Sequence, residues 1–288
     1  MKFSICQASR IGGRKYNQDR VGYAYTNEAL LMVLADGMGG HLHGEVAAQL
    51  AVNTFMQAFV RIAQPDITDP ATFLTGTMQS AHEAIISYAQ DQKLGGNPGT
   101  TCVAALLRGG WVSWAHAGDS RMYLLRDGQV AALTHDHSIV QQWADYGIIS
   151  QSETRTHSER NKITNCLGGV GRMFYVDPIQ AIPLQSSSDV LLLCSDGLWG
   201  PLSDEELAAG FNSDNLSDSL EIMMDRALAH AGSGADNTTA VVVRWGEAEE
   251  EQNAPAAICN VLAVDEEDAL SEILGRTTPV GIQGMGSA

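Results

Sequence analysis

The chain has 288 residues, 44% of them hydrophobic, with 34 acidic against 17 basic side chains and a net charge of −17. That length is enough for one large domain or two small ones, and no apolar run is long enough to span a membrane. The acidity excludes a nucleic-acid partner, because phosphate backbones need a basic face.

Strand patterns come first: 3–9 (FSICQAS), 21–25 (VGYAY) and 30–36 (LLMVLAD). Helical patterns follow over 44–63 and 70–92, the second opened by Pro70 at a helix start. Residues 100–134 read as four strands separated by Gly109-Gly110, Gly118-Asp119 and Asp127-Gly128. Each pair is a two-residue hairpin signal, so antiparallel pairing is expected across all three. A polar stretch at 136–165 holds one helical piece, SIVQQWADYG. The apolar strand DVLLLCSDG (189–197), helices at 203–210 and 215–231, and the strand TTAVVVRW (238–245) complete the compact part. Strand blocks and helix blocks are segregated, which predicts an α+β fold. Strands 30–36 and 189–195 are apolar on both faces, as in a two-sheet sandwich with helices outside.

The domain is placed at 1–246. Residues 247–288 form an acidic tail, with nine acidic residues against one basic, a net of −8. The tail opens on a charged linker and contains DEEDALSEILG (265–275), a short amphipathic helix pattern. Two readings stand for it: a partner-docking segment that is disordered alone, or a passive solubilising tail. The N-terminus lacks the apolar core of a signal peptide, and the five cysteines are odd in number with no CxxC spacing. A reducing, cytoplasmic compartment is expected.

Carboxylates at strand ends carry the chemical signal. Asp36 follows LLMVLA and precedes Gly37; Asp196 follows DVLLLCS; Asp119 follows WVSWAHAG; Asp236 immediately precedes the last strand. One such Asp is a turn residue, but four at the ends of neighbouring strands converge on one sheet edge. There they repel unless cations share them, and oxygen-only clusters suit Mg2+ or Mn2+. Gly37 leaves its carbonyl open to a metal. His41-x-His43 and His135-x-His137 suggest zinc instead, but neither pair lies in a strand pattern, and no cysteine or third histidine is near. In GGRKYNQDR (12–20), Arg14 either forks onto a phosphate while Asp19 holds a metal-bound water, or forms a surface ion pair. No GxxxxGK[ST] occurs, and GMGG lacks the GxGxxG spacing.

Read in order, RKYNQD (14–19), LADGMGGHLHGEVAA (34–48), GTTCVAALL (99–107), HAGDSRMYLLRDG (116–128), LTHDHSIVQ (133–141), CLGG (166–169), LLLCSDGLWGPLSDEEL (191–207) and ADNTTAVVV (235–243) resemble the bacterial metal-dependent type 2C (PPM family) serine/threonine protein phosphatases. The resemblance covers about residues 3–246. It implies an αββα sandwich, two antiparallel sheets flanked by pairs of helices. It further implies two Mn2+ or Mg2+ ions per site, with a third held more weakly. By position, Asp36 would bridge two metals and the Gly37 carbonyl would bind one; Asp196 and Asp236 would complete the other. Asp119 would serve the third together with Asp196. Arg14 would bind substrate phosphate, and Asp19 would orient the attacking water. The implied reaction is hydrolysis of phosphoserine and phosphothreonine in proteins by a hydroxide bridging two metals, reversing a cognate Ser/Thr kinase. A cytoplasmic monomer is expected.

The chain departs from the family in one place. Many eukaryotic members carry His directly after the strand-end Asp-Gly and use it as general acid; this chain has Met38. His41, His43 and a metal-bound water remain open for that role. Residues 136–165 fall where bacterial members carry a mobile flap. The alternative reading is a non-catalytic module of the same fold that binds a phosphoprotein or kinase. A pseudophosphatase usually loses metal carboxylates, and none is missing here.

Overall fold

A computed structural model describes residues 1–38, 43–63, 67–169, 174–185, 189–213, 215–246 and 258–261. In chain order the elements are β1 (Phe3–Arg10), β2 (Asp19–Tyr25), β3 (Ala29–Met38), α1 (Gly44–Ile62), α2 (Pro70–Asp91), β4 (Gly99–Thr100), β5 (Cys102–Arg108), β6 (Trp111–Ala117), β7 (Arg121–Arg126), β8 (Gln129–Leu133), α3 (Ile139–Asp145), β9 (Leu167–Gly168), β10 (Gln180–Pro183), β11 (Asp189–Cys194), α4 (Asp196–Trp199), α5 (Asp204–Gly210), α6 (Leu216–Ala231), β12 (Thr238–Trp245) and β13 (Ile258–Val261). Gly39, Gly40, His41, the linker at 247–257 and the helix pattern at 265–275 lie outside the described residues.

The strands form two sheets. One runs β1-β12-β11-β7-β8; the other runs β10-β6-β5-β3-β2-β13, with β4 and β9 appended beside β3. Every strand pair is antiparallel. Period-two alternation builds the layers. On β3, Leu30, Met32 and Leu34 meet Leu191, Leu193, Val241 and Val243 of the other sheet, while Leu31, Val33 and Ala35 pack under α1 and α2. On β11, Leu192 and Cys194 turn outward to Leu207, Met224 and Ala227 of α5 and α6. A strand buried on both faces must be apolar at every position, and each such Leu or Val contributes about 1.5–3 kcal/mol. The αββα sandwich is therefore what the sequence predicted.

Two hairpins form as expected. Gly109 and Gly110 (φ 57° and 76°) join β5 to β6, and Asp127 and Gly128 (φ 50° and 72°) join β7 to β8. The third does not. β6 pairs with β5 and β10, whereas β7 pairs with β11 and β8, so the chain crosses from one sheet to the other at Gly118-Asp119. Gly118 takes φ 105°, and a Cβ there would stand 2.6 Å from the Thr101 side chain. The main chain of His137 donates to the Gly118 carbonyl at 2.9 Å, which bends the link out of the sheet plane.

α2 begins as predicted, with Pro70 in the first turn and the Asp69 carboxylate accepting from the Ala71 and Thr72 amides. Two strands have no counterpart in the sequence patterns: β10, a mostly exposed edge strand, and β13, which lies in the segment assigned to the tail and borders β2. No helix among the described residues is long and apolar enough to cross a membrane. Cys6, Cys102, Cys166 and Cys194 are free thiols.

Candidate metal centre

All the carboxylates singled out in the sequence meet at one end of the sandwich, on both sides of the seam between the sheets. β2 and β3 place Asp19 directly opposite Asp36 in register. The β6–β7 crossing supplies Asp119, the end of β11 supplies Asp196 as the first residue of α4, and the residue two before β12 is Asp236. Asp19 and Asp119 are buried; Asp36, Asp196 and Asp236 are part-buried and reach solvent.

The cluster is electrostatically loaded. Loss of solvent, then the charges of Asp19, Asp196, Asp119 and Asp236, hold the Asp36 carboxyl well above its ordinary range. Burial, then Asp196 and Asp136, do the same to Asp119. Burial, then Asp236 and Asp19, push Asp196 up to about 7 against the pull of Arg14 and Arg160. Burial pushes Asp19 up to about 6, held back by hydrogen bonds from Thr239 and Ser195. Two oxygens, Asp19 Oδ1 and Asp196 Oδ1, are buried without a hydrogen-bond partner. Unpartnered buried carboxylate oxygens are costly. An all-oxygen donor set with orphaned atoms and mutual repulsion fits hard divalent cations, which would restore the charged forms.

Neighbours that the sequence did not single out hold these groups. Ser195 Oγ donates to Asp19 Oδ2 at 2.8 Å, tying the two sheets together beside Asp196. The Asp36 amide donates to Thr101 Oγ1 at 3.0 Å, and that hydroxyl lies 2.7 Å from Ser120 Oγ. Asn237 Nδ2 donates to the Ile11 and Tyr16 carbonyls at 2.9 and 3.0 Å, while its Oδ1 accepts from the Gln18 amide at 2.9 Å. One side chain thus clamps the loop that presents Arg14. The only signal in the sequence was that Thr101 and Asn237 adjoin the strand-end residues. Arg14 Nη2 lies 2.5 Å from Asp236 Oδ2, with 56% of its side chain exposed.

Gly37 is required on steric grounds. A Cβ there would stand 2.4 Å from the Gly44 carbonyl and 2.8 Å from the Gln18 carbonyl. α1 therefore starts against the strand end, with His43 at φ 90° ahead of it and Glu45 in its first turn. Gly37→Ala is expected to destabilise the protein by about 2 kcal/mol. That is a fall of roughly 4–8 °C in Tm, measurable by thermal denaturation without added metal.

The His135–His137 pair does not build a zinc site, and His41 of the other pair lies outside the described residues. His135 Nε2 turns outward to Asp145 at 2.9 Å, and His137 turns inward. His137 joins His116 and Asp177 in a group within ligating reach. However, the Gly118 amide and Asn165 Nδ2 both donate to His137 Nδ1, at 3.3 and 3.0 Å. The proton therefore sits on Nε2, 2.8 Å from Asp177, which leaves His137 no lone pair for a metal. His116, pushed down to about 4 by burial and then by His137, stacks on that ring at 4.3 Å.

A carboxylate cluster suited to divalent cations, with an exposed arginine beside it, is equipped for metal-assisted hydrolysis of a phosphate ester. A family model described as protein phosphatase 2C matches residues 6–232. The serine/threonine phosphatase Stp of Listeria innocua is 34% identical over 233 residues, 80% of this chain and 90% of that one. The serine/threonine protein phosphatase PstP of Mycobacterium tuberculosis is 36% identical over 233 residues, 80% of this chain and 42% of that longer one. The crystal structure of the PstP catalytic domain in complex with two manganese ions superposes with a TM-score of 0.71 at 30% identity, covering 85% of this chain and 99% of that one. The chain belongs to the protein phosphatase 2C family and is a divalent-metal-dependent protein serine/threonine phosphatase.

Proposed function

We propose that the protein hydrolyses phosphoserine and phosphothreonine in protein substrates, opposing a cognate Ser/Thr kinase, as a monomer in the cytoplasm. The observation that carries this reading is the gathering of Asp36, Asp119, Asp196 and Asp236, with Asp19 and Arg14, at one end of the sandwich, two of their oxygens unpartnered. Asp36, the Gly37 carbonyl, Asp196 and Asp236 would hold two Mn2+ or Mg2+ ions, and Asp119 with Asp196 would hold a third more weakly. Two such cations supply a hydroxide nucleophile near neutral pH.

The chain's own residues do the rest. Arg14, anchored by the Asn237-clamped loop and exposed at its tip, leaves Asp236 to fork onto the non-bridging phosphate oxygens. Asp19, fixed through one oxygen by Ser195, would use its unpartnered oxygen to orient the attacking water. Met38 offers no proton to the leaving alkoxide, His41 lies outside the described residues, and His43 precedes α1.

The test is phosphate release from a phosphothreonine peptide in Mn2+, with and without chelator. Release that stops on chelation supports the proposal; stable binding of the peptide without release overturns it. Arg14→Ala is expected to lower kcat/KM about 100-fold. Its effect on stability should stay within about 1 kcal/mol, because the Arg14–Asp236 pair is largely exposed. Steady-state kinetics and thermal denaturation separate the two effects.

A further inference from the structure

Trp199 ends α4, the single turn that begins at Asp196, and it is buried. Its indole N–H donates to the Asp119 carbonyl at 2.9 Å. Two guanidinium groups approach the ring: Arg121 with its central carbon 3.6 Å from the centroid, and Arg155 at 5.6 Å. Arg121 is itself fixed, forking onto Asp136 at 2.9 and 2.7 Å. Arg155 comes from the 3-10 turn Gln151–Arg155, within the polar segment that follows β8. It donates to the carbonyls of Trp199 and Leu202 and to Asp204 Oδ1, the last at 2.5 Å. These contacts connect the polar segment to Asp119 through a single indole ring, although Arg155 and Asp119 share no bond.

We propose that Trp199 is a positioning residue for Asp119. Its N–H fixes the Asp119 peptide, and Arg155 fixes Trp199, so the seating of the 151–155 turn sets the geometry of the Asp119 carboxylate. A buried carbonyl that loses its donor is strongly penalised, so the indole N–H defines one position of that peptide. At the crossing His137 holds Gly118 through both its amide and its carbonyl, whereas the Asp119 carbonyl takes its bond from the Trp199 indole. The inference rests on the reading of Asp119 as a ligand for the weakest cation, and the experiment separates the two.

Mn2+ binding is measured by titration calorimetry for the full chain and for Asp119→Asn, Trp199→Phe and Arg155→Met, alongside Tm, kcat and KM. The event lost in Asp119→Asn identifies the Asp119 position. Trp199→Phe keeps the aromatic face for the guanidinium groups but removes the N–H. It is expected to weaken that event about tenfold and to leave the tighter events and the KM for an aryl phosphate unchanged. Arg155→Met is expected to weaken the same event in the same direction. An unaltered event in Trp199→Phe overturns the proposal, as does equal weakening of every event with a fall in Tm, which marks a merely structural role. If Asp119→Asn loses no event, the ligand reading of Asp119 fails and the proposal fails with it.

Discussion

Asp36→Asn is expected to lower kcat for a small aryl phosphate about 1000-fold, roughly 4 kcal/mol of barrier, while raising the Tm of the metal-free protein. The two effects have one origin. Asp36 faces Asp19 in register across two strands, where like charges oppose pairing, and four carboxylates raise its pKa. An amide of the same shape removes that repulsion from the empty cluster and removes the charge on which the proposed cation bridge depends. Kinetics in saturating Mn2+ and denaturation in chelator read the two effects separately. A variant that keeps its activity sinks the proposed role of Asp36. A variant that loses activity and also loses metal-free stability points to a packing defect instead.

Removing divalent cations is expected to reverse the pH dependence of stability. Asp19 at about 6 and Asp196 at about 7 lie above the ordinary aspartate value of 3.8, and Asp36 and Asp119 also lie well above it. A carboxyl raised in this way binds its proton more tightly when folded than when unfolded. Its contribution to stability is greatest below about pH 4 and is lost as pH rises through the folded values near 6 and 7. The metal-free protein should therefore melt at lower temperature at about pH 8 than at about pH 5. With saturating Mn2+ the slope should invert, because cations bind the ionised cluster and protons compete with them; an excess of 100 times Kd adds about 2.7 kcal/mol. Tm series in chelator and in Mn2+ test this, and parallel slopes in the two would refute it. Turnover should cease in chelator throughout.

The layers were legible because burial on both faces writes itself into composition: β3 and β11 are apolar at nearly every position. Asp36 and Asp196 were legible because each interrupts such a run at its end. The crossing at Asp119 was not, since Gly-Asp signals a turn without saying whether the flanking strands pair. Thr101, Ser195, Asn237 and Trp199 hold Asp36, Asp19, Gln18 and Asp119 from 65, 176, 219 and 80 residues away in the chain. No local pattern marks such residues. β10 escaped notice because an exposed edge strand needs neither alternation nor apolar character.

The placement of the carboxylates has a mechanical consequence. Asp19 and Asp36 belong to one sheet, Asp196 and Asp236 lie just beyond the ends of β11 and β12 in the other, and Asp119 lies in the strap between them. An ion shared across that line would act as a rivet through two plates. The same plates are otherwise held face to face by an apolar core of Leu, Val, Met, Ala and Trp side chains. The reaction centre would then also be the fastener at its end of the molecule, with the empty cluster pressing the plates apart and the filled one drawing them together.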